Sequence, residues 1–361
     1  MLTLRIFTLL GIIFNCPIFI QASNIIQSND DCFDYGTDYI GFDLDDGTYV
    51  STESASACQI NCQETANCEF WTWDPDYHSA CWRKWGKGET RVNERLTSGP
   101  KFCDGTTIKP DSSLMRTMSY NMFGWNALHD HSKTENMYRT IRAFGPDLLG
   151  TQEIDEFAYQ VAENIGNDYA VAADGYSQGH AILYRTSVFD LVSSGYEILN
   201  EQDQWGQRTV EYAQLIHKAS GTLVDHFNTH FCVCYEGGTC CGQDKGLSSA
   251  HTVEATMEKY RRSGSLLTLT GDLNVFAGFE DHPAIRYFKG ELDGDMPPYI
   301  LEDTFRVANG ENTDGTTFPN NGKIDYLFAE QGAGIVSANI DRTSYGPASD
   351  HWPINAVIKV P

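Results

Sequence analysis

Eleven cysteines punctuate this 361-residue chain, and their placement constrains the fold more than any other feature. Cys16 sits in an apolar N-terminal run. Six more (Cys32, Cys58, Cys62, Cys68, Cys81, Cys103) fall within one short stretch. Four crowd together at Cys232, Cys234, Cys240 and Cys241, and none lies between the two groups. The partition predicts two separately built regions. The start of the chain carries Arg5, then an apolar run from Ile6 to Ile20 broken at Asn15 and Pro17, then Gln21-Ala22-Ser23. This is the pattern of a secretory signal peptide over residues 1–22, cleaved after Ala22. An uncleaved anchor is the other reading, but the run is short for a span of about 20 residues. Loss of Cys16 leaves an even set of ten, as expected of a secreted, extracellular, disulfide-bonded protein. No later apolar stretch is long enough to predict a transmembrane segment.

Residues 23–105 form the cysteine-rich region. At this size a hydrophobic core alone is marginal, and each disulfide adds about 2–4 kcal/mol. Residues 54–62 read as a short helix with Cys58 and Cys62 on one face. Phe70-Trp71-Thr72-Trp73 and Ala80-Cys81-Trp82 alternate like strands. Spacing alone leaves all 15 pairings of six cysteines open. The Cys58-x3-Cys62-x5-Cys68 spacing, Phe70-Trp71-Thr72-Trp73, Cys81-Trp82 and Ser98-Gly99-Pro100 before Cys103 resemble the apple, or PAN, domain family. The resemblance implies nested pairs Cys32–Cys103, Cys58–Cys81 and Cys62–Cys68. It also implies a module that binds a protein or a glycan and does no chemistry; a passive spacer is the alternative. A polar stretch at 106–113 reads as a linker.

From residue 114 to 361 the texture changes to short apolar strands alternating with helical segments. Strands are predicted over 114–121, 147–153, 181–184, 212–217, 223–230, 266–271, 324–328 and 354–360, and helices over 134–144 and 250–262. Packed sheets flanked by helices follow, an α/β (α+β) fold. Polar residues gather where strands end: Asn121, Glu153, His230, Asp272 with Asn274, Asp325, and Asp350 with His351. Singly, each reads as a turn former. As a set, carboxylates and amides without cysteine suit a hard cation such as Mg²⁺ (or Mn²⁺), and two histidines near carboxylates suit acid–base work.

The ordered motifs Ser119-Tyr120-Asn121-Met122, Gly150-Thr151-Gln152-Glu153, Gln207-Arg208-Thr209, Asn228-Thr229-His230-Phe231, Gly271-Asp272-Leu273-Asn274, Lys323-Ile324-Asp325-Tyr326-Leu327 and Ser349-Asp350-His351-Trp352-Pro353 resemble the endonuclease/exonuclease/phosphatase family. The resemblance implies a four-layered α/β sandwich of the deoxyribonuclease type. It implies Glu153 as principal metal ligand, helped by Asn121 and Asp350. Asp272 and Asn274 would position the attacking water and the scissile phosphate. His351, oriented by Asp325, would be a base or phosphate contact, His230 the second such group, and Arg208 a phosphate-binding fork.

Four features stand apart from those motifs. No motif marks a carboxylate for His230; Asp174 is a guess, and it reads more readily as a surface loop residue. His180 either contacts substrate phosphate or caps its strand. His129-x-His131 reads as solvated loop rather than a metal pair. Cys232, Cys234, Cys240 and Cys241 read as two disulfides stapling the loop after His230, with a thiolate metal site as the sharper alternative.

The expected function is a secreted, metal-dependent hydrolase of phosphodiesters, with nucleic acid favoured. Phospholipid or sphingomyelin-type esters, small phosphoesters and an inactive binding protein are the alternatives. A net charge of −24 excludes a basic stripe that grips nucleic acid by charge alone. It does not exclude a nuclease, because a bound metal supplies local positive charge.

Overall fold

The computed structural model describes residues 33–361, apart from 45, 66, 102–112, 125–129, 176–178, 234–242, 276–280, 320–321 and 343–347. The expected signal peptide, nearly all of the linker, the Cys32–Cys103 pair, His129, Cys234, Cys240 and Cys241 lie outside the described residues.

The N-terminal region is a five-stranded antiparallel sheet ordered β1-β5-β3-β4-β2, built from β1 (Asp34–Ile40), β2 (Val50–Ser51), β3 (Phe70–Asp74), β4 (Ala80–Lys84) and β5 (Glu89–Pro100). Helix α1 (Ala55–Glu64) crosses it, started by Ser54, whose hydroxyl accepts the Ala57 N–H at 3.0 Å. Cys58 is bonded to Cys81 and Cys62 to Cys68, the two nested pairs that fall on described residues. Trp71 fills the small core, its indole N–H donating to Pro100 O at 2.9 Å and its ring meeting Phe33 edge-on at 4.7 Å. Asp46 pairs with Arg139, and the Arg142 guanidinium lies 5.3 Å from the Trp85 ring. Both contacts hold the N-terminal region against the rest of the chain.

The remainder is four layers. One six-stranded sheet has the order β16-β17-β6-β7-β9-β8, from β6 (Leu114–Asn121), β7 (Leu148–Gln152), β8 (Tyr169–Ala173), β9 (Ala181–Arg185), β16 (Ile335–Ile340) and β17 (Ile354–Lys359). The other has the order β10-β11-β12-β13-β15-β14, from β10 (Phe189–Asp203), β11 (Gly206–His217), β12 (Leu223–His230), β13 (Leu266–Asp272), β14 (Leu301–Asp303) and β15 (Asp325–Glu330). Each sheet has one parallel pair at its centre, β6 with β7 and β12 with β13.

The strands are buried on both faces, so alternate side chains enter different cores. Met115, Leu148, Ile182, Val224, Leu266 and Leu327 fill the space between the sheets. Met118, Leu149 and Leu183 face helices α2 (His131–Phe144) and α3 (Ala158–Ile165). Phe227, Leu269 and Phe328 face α4 (Gln243–Tyr260) and α5 (Pro283–Phe288). Helix α2 opens at Asp130, which caps the Ser132 N–H, and closes at Gly145 in the left-handed region (φ 62°). The predicted 114–121 and 223–230 strands match β6 and β12 residue for residue. Strand β10 and helices α3 and α5 had no period that the sequence reading detected.

The sheets pack closely at Gly150. A Cβ there would strike Thr270 Oγ1 and come within 2.6 Å of Asn228 Oδ1. Gly150→Ala is therefore expected to destabilise the chain by about 1–3 kcal/mol, the usual cost of forcing a methyl into a packed core; urea denaturation measures it. A second expectation concerns pH. Glu254 on α4 is buried with neither carboxylate oxygen in a well-formed hydrogen bond. Burial pushes its pKa up to about 8, against the opposing pull of Arg261. A carboxyl raised in the folded state binds its proton more tightly there than when unfolded. Its stabilising contribution is full below the ordinary value and falls as pH rises toward 8. Glu254→Gln should lose this slope, so the variant gains on the parent in thermal melts as pH goes from 5 to 8.

Candidate active site

The inward-facing positions of six strands become polar toward one end of the sandwich. On β6 the series is Met115, Thr117, Ser119, Asn121; on β12 it is Val224, His226, Asn228, His230; on β13 it is Leu266, Thr268, Thr270, Asp272. A buried hydrogen-bonded seam joins them. Gln152 Nε2 donates to Asn228 Oδ1 at 2.7 Å, Thr270 Oγ1 to the same oxygen at 3.0 Å, and Asn228 Nδ2 to Thr151 O at 2.9 Å. His226 lies between the hydroxyls of Thr268 and Thr270, and burial lowers its pKa to about 3, so it is a neutral part of the seam.

At the end of the seam the two parallel pairs present their C-terminal ends side by side. Asn121 is in register with Gln152, and His230 with Asp272. Antiparallel β15 brings Asp325 opposite Asp272. The chain turns sharply after β7, where Glu153 adopts φ 51°. Left-handed backbone at a non-glycine residue costs about 1–3 kcal/mol and persists only where the surroundings enforce it. Here it brings the Glu153 carboxylate against Asn121, whose Nδ2 donates to Glu153 Oε1 at 3.1 Å and to Asp272 Oδ2 at 2.9 Å. Asn274, at φ 47°, donates its backbone N–H to Asp272 Oδ1 at 3.0 Å and its side-chain amide to Phe231 O at 3.0 Å. Ser349 donates to Asn121 O at 2.7 Å and accepts the His351 N–H at 3.1 Å, which ties the last motif to the first.

The charges are concentrated and buried. His351 Nδ1 is 2.9 Å from Asp325 Oδ2, and its Nε2 is 3.8 Å from Asp272 Oδ2. Burial alone would lower the pKa of His351; the carboxylates of Asp325, Asp272 and Asp350 outweigh it and raise it to about 10. Burial, then the Asp325 charge, pushes Asp272 up. Glu153 is raised as well, chiefly by burial. His230 moves the other way. Burial, with Arg208 and the other two histidines nearby, holds it well below the ordinary value.

Two ligand clusters emerge, Glu153 with His230 and Asp272, and Asp272 with Asp325 and His351, with Asp272 common to both. The donors are carboxylate oxygens and imidazoles without a thiolate, and Asp325 Oδ1 is buried with no partner. That donor set fits a hard divalent cation. Asp350 is exposed and joins neither cluster, although its charge reaches Glu153.

Three sequence-based expectations change. Asp174 is exposed and contacts the Tyr159 hydroxyl at 3.5 Å, so it does not orient His230. The group on His230 Nδ1 is Arg208, at 3.1 Å. Arg208 is itself held by Asp203 through two hydrogen bonds of 3.1 and 2.6 Å, so its fork grips a carboxylate of the chain. His180 does not cap a strand at the surface. It is fully buried, 3.5 Å from Glu211 Oε1, with its ring 5.3 Å from that of His230. Cys232 is disulfide-bonded, as the staple reading of that loop expects. Glu211 and Asp203 escaped the sequence reading, and Thr209 entered it only as a motif residue. Glu211 and Thr209 continue the inward series of Leu215 and Ala213 on β11, so period-2 counting could have found them.

This fold and this site define a class, and comparison with known proteins agrees. Residues 118–351 match the Endonuclease/Exonuclease/phosphatase family, and the chain belongs to it. The fold is shared with an endonuclease/exonuclease/phosphatase from Bacteroides vulgatus (19% identity, 69% of this chain and 99% of that one, TM-score 0.56). It is shared also with a mannosyl-6-phosphatase from Bacteroides thetaiotaomicron (21%, 67% and 98%, TM-score 0.51). TDP2 of D. rerio, solved with a single-strand DNA product, is a third such structure (15%, 68% and 99%, TM-score 0.54). No curated protein matches the chain.

The Asp325–His351 pair gives a direct test of the electrostatics. Asp325→Asn removes the largest favourable charge on the imidazolium, so the His351 pKa should fall by more than one unit from about 10. A proton NMR titration of the histidine ring reports it, and an unchanged midpoint would contradict the pairing.

Proposed function

We propose that this chain is a secreted, divalent-metal-dependent phosphodiesterase, with nucleic acid as its favoured substrate. One observation carries the reading. Two histidine–carboxylate clusters share Asp272 at the ends of two abutting parallel strand pairs, where a phosphate can face a cation site and an acid–base site together. A phosphodiester needs both, because its leaving oxygen requires a proton as well as charge stabilisation.

Glu153, with Asn121 beside it and Asp350 at the rim, would hold Mg²⁺ or Mn²⁺. The metal, when bound, supplies charge stabilisation at the phosphoryl oxygens. Asp272, with its raised pKa, accepts a proton from the attacking water, and Asn274 fixes the orientation of Asp272. His351, kept protonated by its carboxylates, gives a proton to the leaving oxygen as the bond from phosphorus to that oxygen breaks. Asp325 holds the ring in place.

Among the described residues no helix is long and apolar enough to cross a membrane. The N-terminal region supports an attachment role as an apple-type module. Tyr77 stacks on Trp82 at 6.1 Å and meets Tyr49 at 5.6 Å, beside a hollow of about 360 Å³ lined by Asp74, Lys84 and Arg91. Aromatic faces next to fixed charges suit a protein or glycan ligand.

The test is hydrolysis of RNA, DNA and sphingomyelin by the purified protein, with Mg²⁺ and again with a chelator. Metal-dependent cutting of a nucleic acid is expected. Phosphocholine release instead would move the substrate to lipid, and turnover insensitive to chelation would refute the metal. Glu153→Ala and His351→Ala should each lower kcat by about 10³-fold or more, with circular dichroism unchanged.

A further inference from the structure

We propose that the two site histidines are wired in opposite senses at Nδ1. Asp203 and Arg208 are positioning residues that make His230 a neutral hydrogen-bond donor through Nε2, and neither a base nor a metal ligand. The purpose of that donor rests on the phosphoesterase reading; the tautomer itself is a property of the fold.

The argument starts from what a guanidinium can do. It has five N–H donors and no lone pair to offer. Arg208 Nη1 lies 3.1 Å from His230 Nδ1, so Nδ1 must accept. A neutral imidazole has one ring proton, which is then on Nε2. A proton on Nδ1 would set N–H against N–H at hydrogen-bond distance.

Asp203 makes this arrangement rigid. Its Oδ2 accepts from Arg208 Nε at 3.1 Å, from Arg208 Nη2 at 2.6 Å and from the Val233 backbone N–H at 3.1 Å. The side chains of Arg208 and Asp203 are 5% and 1% exposed, so solvent screens the pair little. Arg208 cannot turn away from His230 without breaking a buried, two-pronged ion pair.

His351 is wired the other way. Its Nδ1 faces Asp325 Oδ2 at 2.9 Å, and an ionised carboxylate only accepts, so Nδ1 carries a proton and Nε2 is the position that exchanges one. Among the described residues His230 Nε2 is buried with no hydrogen-bond partner, and it lies 3.5 Å from Asp272 Oδ2. Its N–H therefore points to where a phosphate oxygen would sit beside Asp272. The proton stays on nitrogen through the reaction, as with an oxyanion-hole donor. A metal would need the lone pair of Nε2, and in this tautomer that nitrogen has none to give.

The test is a long-range proton–nitrogen NMR correlation on the full chain with ¹⁵N-labelled histidine. It is recorded without substrate between about pH 6 and about pH 8, with and without Mg²⁺. The expected His230 has an unprotonated Nδ1 and a protonated Nε2 throughout, and the expected His351 has a protonated Nδ1. A protonated Nδ1 in His230, or loss of the Nε2 proton on adding Mg²⁺, overturns the proposal. Arg208→Lys keeps a donor and should keep the tautomer. Arg208→Gln should give a mixture of tautomers and lower kcat by about 10–100-fold with KM little changed. An unchanged tautomer with unchanged kcat would remove Asp203 and Arg208 from the mechanism. If Arg208→Gln does not fold, the isosteric Asp203→Asn carries the same comparison. A protein that shows the tautomer and hydrolyses no phosphoester would sink the phosphoesterase reading and leave the wiring intact.

Discussion

The site exists because two sheets approach closely at a single glycine. Gly150 leaves no Cβ between β7 and the Thr270 and Asn228 side chains of the facing sheet. That closeness lets Gln152 bond directly to Asn228 across the gap, where Thr270 of the same sheet as Asn228 donates to the same oxygen. It also sets the distance at which Asn121 on one sheet can donate to Asp272 on the other. A larger residue at position 150 would separate the sheets where the polar seam begins, and Asn121 would lose its partner. Packing in the apolar half of the sandwich therefore determines geometry in the polar half, because close-packed layers transmit displacement.

The cost of the site is electrostatic and conformational. Glu153, Asp272 and Asp325 are gathered with few compensating charges, and Asp325 Oδ1 is buried without a partner. Burying a carboxylate is unfavourable, and the raised pKa values of Asp272 and Glu153 express that cost, with the Asp325 charge adding to it at Asp272. Glu153 and Asn274 add left-handed backbone. The gathering of these carboxylates at one end of two parallel strand pairs is what a function requiring pre-set charge produces.

Much of this was legible in the sequence, for a physical reason. Strands buried on both faces are short apolar runs, and the polar residues that end them stand out: Asn121, His230 and Asp272 each close a strand whose span could be read directly. Glu211 and His180 were harder, because each sits inside a run where one polar residue looks like solvent-facing alternation; only the inward series of β9 and β11 shows them to be buried. The contact of Asp203 with Arg208 was illegible for another reason. Their meeting depends on the hairpin of β10 and β11, whose register shifts between Ile198 and Gln202. A shift of register is invisible to any periodicity. No motif marks a carboxylate for His230, and its partner is an arginine one strand away.

The region after β12 shows how such precision is maintained. Phe231 N–H donates to Asp272 O, and Asn274 returns a hydrogen bond to Phe231 O, so His230 leaves its strand between two fixed points. Two residues on, the Val233 N–H donates to Asp203, the same carboxylate that holds Arg208 against His230. Cys232, between these bonds, is tied by a disulfide. The N-terminal region uses disulfides where its core is too small to do without them. Cys232 lies in the segment whose backbone fixes Asp203, and through Asp203 and Arg208 the ring of His230. An error of about 1 Å at a reacting group costs about 10²-fold in rate. That sensitivity gives a covalent tie a physical purpose here, beside the histidine.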